Sequence, residues 1–302
     1  MIRYNYTDDV FAFWHDNNTK CKIDINVNAW LDFERINSYL DFGIRFYKEL
    51  TFEKFFVFVP FYINLKNITD LFESFSYETV ISGVFNKNCI INKKEDDTMI
   101  ELKIGDELER ITPLNKFAPT INHCDKGSIV CFNLESIKEL HYPGSIYIRW
   151  RIPYVTVNNA VSKKWVGNYA IDSPYITNNY KYFIKINEFR SLPEAVKGKI
   201  KNPINYINEV FFVLVCKDNI KMDTQGYYKI RKLENDLYNE YKPKDYDDKN
   251  TVVYQWHNNQ NNYNINIDAE LKKINNFSLM IYIIIIIIIN IISNLIWDVF
   301  AK

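Results

Sequence analysis

Polar and apolar residues alternate most cleanly from Ser145 to Ile152. Ile146, Ile148, Trp150 and Ile152 fall on one side, and Ser145, Tyr147, Arg149 and Arg151 on the other. A period of two marks a strand with one buried and one wet face. The Pro143–Gly144 turn before it and Pro153 after it set its limits. The same reasoning predicts strands at Lys22–Val27, Thr79–Phe85, Thr98–Ile104, Ser128–Phe132, Tyr180–Ile186, Val210–Cys216 and Thr251–Trp256. The unbroken apolar run Phe55–Tyr62 predicts a strand buried on both faces, with Pro60 putting its far end at an edge or bulge.

Helical spacing is rarer. Trp30, Leu31, Phe33, Ile36 and Leu40 fit a helix, as does a short segment Asn67–Phe75 capped by Asn67 or Thr69, and Glu135–Leu140 fits a single turn. Ile230, Leu233, Leu237 and Tyr241 form an i, i+3, i+7, i+11 stripe, which predicts a helix over Tyr228–Tyr241 and a right-handed crossover into the strand that follows. Lys242–Asn250 reads as a charged surface loop, and the polar tract Asn258–Asn264 (NNQNNYN) as the start of a flexible tether.

The pattern changes abruptly near the C-terminal end. Phe277–Trp297 contains no charge and includes seven consecutive isoleucines, Ile283–Ile289. A helix of that length reaches roughly 30 Å, the thickness of a bilayer's hydrocarbon core. A buried soluble helix keeps a polar face, and Leu279–Ile289 has none. The expected fold class is therefore α+β: a β-rich soluble domain followed by a single C-terminal transmembrane helix. The expected divisions are a globular domain at 1–257, with two subdomains meeting near 141–201, a juxtamembrane tether at 258–276 and the span at 277–297.

Around the span, Lys272 and Lys273 precede it while Asp298 and Lys302 follow, and the N-terminal stretch lacks the apolar segment of a signal peptide. This layout predicts a tail-anchored, single-pass protein with its soluble part on the cytoplasmic side. Tyr282 and Trp297 are candidate interfacial anchors. Asn290, Ser293, Asn294 and Trp297 share one helical face. In lipid such a polar stripe seeks a partner helix, so self-association of spans is expected there.

Composition adds a class and a compartment. Apolar residues make up 47% and aromatics 16%, enough for a folded core rather than a disordered chain. The five cysteines form no CxxC pair or zinc spacing, which fits reduced thiols in a cytosolic domain. Net charge is zero but unevenly spread. Residues 1–140 hold 16 Lys and Arg against 22 Asp and Glu, whereas 141–201 hold 10 against 3. Within this basic middle, Arg149, Arg151, Lys163, Lys164, Lys197, Lys199 and Lys201 are the candidates for binding an anionic partner, whether lipid headgroups or an acidic protein surface. Nucleic acid fits less well, because aromatics interleave with basic residues only around Tyr147, Arg149 and Arg151.

Motifs of catalysis are thin. Glu101-Leu102-Lys103 after Glu95, Asp96 and Asp97 has the skeleton of a metal-dependent nuclease site, but also simply fits the wet face of a strand. His123-Cys124-Asp125 gathers reactive types, yet neighbours on an extended chain point apart. No Gly-rich phosphate loop, nucleophile elbow or HExxH is present, so neither a metal nor a cofactor is expected. The resulting expectation is a non-enzymatic membrane protein with a partner-binding cytosolic domain, a prokaryotic toxin-like or antiviral immune effector acting by span association. A membrane-tethered nuclease-like enzyme and a passive anchor or adaptor are the alternatives. Expected partners are the bilayer, anionic lipids or a cytosolic protein, and a second copy of the chain.

Overall fold

The computed structural model describes residues 7–17, 22–32, 38–47, 52–95, 98–135, 144–154, 162–165, 175–200, 207–224, 228–234, 238–258, 263–274 and 276–300. Two sheets carry the fold. The first runs in the order β15 (Ile220–Thr224), β18 (Tyr263–Ile274), β13 (Tyr175–Ile186), β1 (Thr7–His15), β4 (Lys54–Val59), β10 (Gly127–Asn133) and β9 (Thr120–Cys124), with β12 (Ser162–Trp165) also on β13. The second runs β16 (Lys229–Lys232), β17 (Thr251–Asn258), β14 (Ile207–Lys217), β2 (Ile23–Trp30), β3 (Ser38–Phe46), β11 (Ser145–Tyr154), β8 (Glu107–Ile111), β7 (Met99–Ile104) and β6 (Cys89–Glu95), with β5 (Thr69–Asp70) also on β11. Most pairings are antiparallel; β1–β13, β2–β14 and β8–β11 are parallel. The result is a β-rich α+β protein with one long apolar helix at its C-terminal end, as the pattern predicts.

The two sheets share one apolar core. Strand alternation delivers Ile146, Ile148, Trp150 and Ile152 of β11, Leu40, Phe42, Ile44 and Phe46 of β3, and Ile23, Ile25, Val27 and Ala29 of β2 to it. The first sheet meets them with aromatic rings. Phe11 lies 5.6 Å from Phe42, Phe55 5.2 Å from Phe46, and Phe132 4.8 Å from Trp150. Each such ring contributes about 1.5–3 kcal/mol by leaving water. β4 is buried on both sides from Phe55 on, apart from half-buried Phe56; its first residue Lys54 is exposed, and it stops at Val59, just before Pro60.

A second, smaller core covers the opposite face of the second sheet. It is built from Trp30, Tyr147, Val215 and Val253 of the sheet, and from Phe75, Val80, Ile81, Tyr238, Tyr241 and Tyr246 packed onto them. This is where local propensity gives way. Thr79–Phe85, expected as a strand, is helix α1 (Glu78–Phe85), which starts with an acidic residue favourable to the helix dipole and ends at Asn86 in the left-handed conformation, φ 50°. A covering element on a sheet face satisfies its own backbone, which a helix does and a lone strand cannot.

Other expectations are corrected in the same way. Trp30 ends β2 and Leu40 lies in β3, so both sides of the expected Trp30–Leu40 helix are strand. Within Tyr228–Tyr241, Lys229–Lys232 forms β16, antiparallel to β17, so no right-handed crossover follows; Ile230 of the expected stripe is exposed. Asn67–Phe75 resolves into a 3-10 turn Leu65–Asn67, the two residues of β5 and a second 3-10 turn Glu73–Ser76. The expected tether holds β18, which pairs with β13 over its full length and with β15 on its other side. The expected turn at Glu135–Leu140 lies outside the described residues from 136 onward.

Candidate functional site

The one long helix, α3 (Asn276–Phe300), follows β18 with a single residue between them. Its segment Leu279–Trp297 is long and apolar enough to cross a membrane, and none of that stretch is buried against the rest of the chain. Ile286–Ile289, Ile291, Ile292, Leu295 and Ile296 are all exposed, Ile289 to 57%. Soluble proteins do not leave a contiguous apolar surface of this kind in water. Asn290, Ser293 and Asn294 are exposed on the same helix, Trp297 is 73% exposed and Tyr282 36%. The spacing puts Asn290, Ser293, Asn294 and Trp297 along one face, spread over about two turns.

The basic candidates separate into different environments. Arg149 and Arg151 do sit opposite Ile148 and Trp150, as the alternation requires, but the expected wet face of β11 is covered: Arg149 is 2% exposed and Arg151 7%. Register explains what holds them. Arg151 is opposite Asp41 and Arg149 opposite Gly43 on β3, while Asn28 and Asn26 of β2 continue the same two rows. Asp41 accepts two hydrogen bonds from Arg151, at 2.6 and 2.9 Å, one from the Trp30 indole at 2.8 Å, and one from the Tyr241 hydroxyl at 2.7 Å. The Tyr241 hydroxyl in turn accepts from Arg149 Nε at 2.5 Å, and the Tyr241 carbonyl from Arg151 Nη2 at 2.8 Å. Burial pushes the Tyr241 phenol well above its usual pKa, so it stays protonated and able to donate. Both arginines are therefore spent largely on contacts within the fold. Arg149 Nη1 reaches the Tyr147 hydroxyl at 2.5 Å, leaving its Nη2 buried without a hydrogen-bond partner.

One row away, Arg45 holds both oxygens of Glu109, at 2.8 and 2.9 Å, and Asp24 at 3.1 Å. Asp24 also accepts from the Tyr47 hydroxyl at 2.6 Å and from Asn208 at 2.9 Å. The covered face thus carries Arg45, Arg149 and Arg151 against Asp24, Asp41 and Glu109. Equal numbers of each sign make this burial bearable, since an isolated buried ion costs several kcal/mol. Gly43 permits it sterically: a Cβ there would lie 2.0 Å from Tyr147 Oη and 2.8 Å from Arg149 Nη1. Alternation alone pointed to β11 but not to Trp30, Asp41 and Tyr241, which come from distant sequence. The Asp41–Phe42–Gly43–Ile44–Arg45 alternation was the one available signal.

Lys163 and Lys164 lie in β12, paired in register with Asn178 and Thr177 of β13. Lys197 closes the four-residue helix α2 (Glu194–Lys197), bonded to Glu194 at 2.7 Å and placed over the Phe189 ring at 6.0 Å. Lys199 is exposed, and Lys201 lies outside the described residues. Among the described candidates, buried Arg149 and Arg151 are thus separated in environment from exposed Lys199.

The reactive motifs are also dispersed. Glu101 accepts from the Asn92 amide at 2.6 Å, and Asp96 and Asp97 lie outside the described residues. Among the described residues no three His, Cys, Asp or Glu side chains gather as a metal site. At the β9–β10 hairpin, the Cys124 thiol donates to the Gly127 carbonyl, while the His123 ring meets Ser128 Oγ at 3.2 Å. That oxygen is buried and already accepts the Ile63 amide at 3.0 Å, so the contact is a brace between segments. Cys89, Cys124, Cys131 and Cys216 are all free thiols. Beside the arginine network lies a cleft of about 780 Å³, lined by Tyr39, Asp70, Glu73, Arg151, Lys242 and Asp245 among others, with both signs of charge intermixed.

No family model matches this chain, and no characterised protein matches it in sequence.

Proposed function

We propose that this is a single-span membrane protein whose β-rich domain is held directly against the bilayer by α3 and binds a partner there. The observation that carries the reading is that none of the apolar stretch Leu279–Trp297 is buried against the rest of the chain. An uncovered surface of that size is stable in lipid and costly in water. Lys272 and Lys273 before the helix favour placing the β-rich domain on the cytoplasmic side. The four free thiols fit a reducing compartment. In this reading the Asn290, Ser293, Asn294 face brings spans of two or more copies together, and that association is how the protein acts on its membrane as an effector.

The deciding experiment is alkaline carbonate extraction of membranes from cells expressing the full chain, beside the variant Ile286→Lys/Ile287→Lys. Each lysine at a span centre opposes insertion by about 2.5–3.5 kcal/mol. The wild-type chain should resist extraction and the variant should be released. Release of both would refute the membrane reading.

A further inference from the structure

The register of the first sheet brings two separate basic pairs to the same end of the sheet. β18 reaches that end at Lys272, Lys273 and Ile274. β13 begins there, with Thr177 paired to Lys272 and Ile176 to Lys273. On the other side of β13, β12 pairs Lys164 with that same Thr177 and Trp165 with that same Ile176, and Lys163 is one level below. Lys164 and Trp165 are therefore level with Lys272 and Lys273, two strands away at roughly 10 Å, and Lys163 is level with Leu271, the next residue along β18. Over 100 residues of sequence separate the two pairs, and only the fold juxtaposes them. On the outer side of β18, exposed Lys221 pairs with Glu270, the one acidic residue of these levels.

This end of the sheet is also where α3 begins. Lys272 is four residues from Asn276, at most about 14 Å along the chain. Resting on the membrane reading above, we infer that β12, β13 and β18 form a rim that lies on the bilayer surface and binds anionic lipid headgroups through Lys163, Lys164, Lys272 and Lys273. What the four share is the end of the sheet, the part a span emerging from β18 presses toward the headgroups. Surface potential decays within about 8 Å at physiological salt, so a rim held at that depth is attracted where a more distant lysine is not. Trp165 at the same level has the amphipathic ring that membrane interfaces favour.

The test uses the full chain reconstituted in vesicles of phosphatidylcholine alone, or with about one-third phosphatidylglycerol. A water-soluble amine reagent labels exposed lysines, read site by site by mass spectrometry, with carbonate resistance checked in both preparations. Lys163, Lys164, Lys272 and Lys273 should label about threefold or more slowly in the anionic vesicles, with high salt abolishing the difference. Lys199 should label equally in both. In Lys163→Gln/Lys164→Gln, the protection of Lys272 and Lys273 should weaken. Equal labelling in both vesicles, with the chain resistant to carbonate in both, would overturn the rim while leaving the span standing. Extraction from both would overturn the span, and the rim with it.

Discussion

Arg151 grips Asp41 through both carboxylate oxygens, with Asp41 fully buried and Arg151 nearly so. The fork geometry is the strongest form of protein ion pair, and here it joins β11 to β3 while the Tyr241 hydroxyl and carbonyl join both to the segment that covers them. Asp41 is the hub, since four of its hydrogen bonds come from three different parts of the chain.

Asp41→Asn should therefore destabilise the protein by about 3–5 kcal/mol, because two buried guanidinium groups lose their counterion. Thermal unfolding of the full chain in detergent should show a midpoint lower by about 10 °C or more. Adding Arg151→Met to that variant should cost less than the two single changes combined, because the second change removes a charge already stranded. Strict additivity would mean that the pair is not coupled.

Gly43→Ala tests the close approach on the same face. Its Cβ would collide with Tyr147 Oη at 2.0 Å. Overpacking of this kind costs about 1–3 kcal/mol. Tyr147→Phe in the same chain removes the colliding oxygen and should recover part of that loss in the unfolding midpoint. An unchanged midpoint in Gly43→Ala would contradict the geometry.

Burial raises the pKa of Tyr39, Tyr147, Tyr238, Tyr241 and Tyr246, and that of Tyr254 to about 12. The folded values exceed the unfolded value of 10.0, so the folded state holds its phenolic protons longer. The associated stability is complete below pH 10 and is lost as pH climbs through the folded values. Burial likewise raises the Cys89 thiol to about 11, adding loss from pH 9 upward. Tyrosinate absorbance should rise in two stages, exposed rings first and buried rings together with the loss of strand circular dichroism. A single stage at pH 10 with the strand signal intact would be inconsistent with these burials.

Asn290→Leu/Asn294→Leu should weaken association of spans while leaving insertion unchanged. Interhelical hydrogen bonds in membranes average about 0.6 kcal/mol, so each bond lost should lower the association constant roughly threefold. Cross-linking of the full chain in vesicles at several protein-to-lipid ratios measures this. Equal cross-linking in wild type and variant would remove the polar face from the mechanism.

The period-two pattern of β11 was legible down to which residue faces which way, because alternation is a local property of a strand. That its polar face is covered was not legible, because the covering residues Trp30, Asp41 and Tyr241 arrive from distant sequence. Thr79–Phe85 has the composition of a strand yet folds as α1, since the task there is to cover a sheet face. In β18 the signal is present, since Ile265, Ile267, Ala269 and Leu271 alternate and are all buried, but the Asn-rich tract before them has the composition of a tether. The apolar length of α3 was plain from sequence. The convergence of Lys163 and Lys164 with Lys272 and Lys273 depends on strand register across β13, which no local pattern encodes.

A single residue separates β18 from α3, and β18 is zipped to β13 along twelve residues and to β15 on its other side. A helix joined to a strand through one residue has at most a few ångströms of chain between them. Any tilt or rotation of α3 becomes a pull along the strand, and the ladder bonds on both of its sides resist that pull together, in shear, rather than opening one at a time. With α3 in a bilayer, as proposed above, helix and sheet would form a single load path, and motion of the helix would reach the β-rich domain as mechanical force.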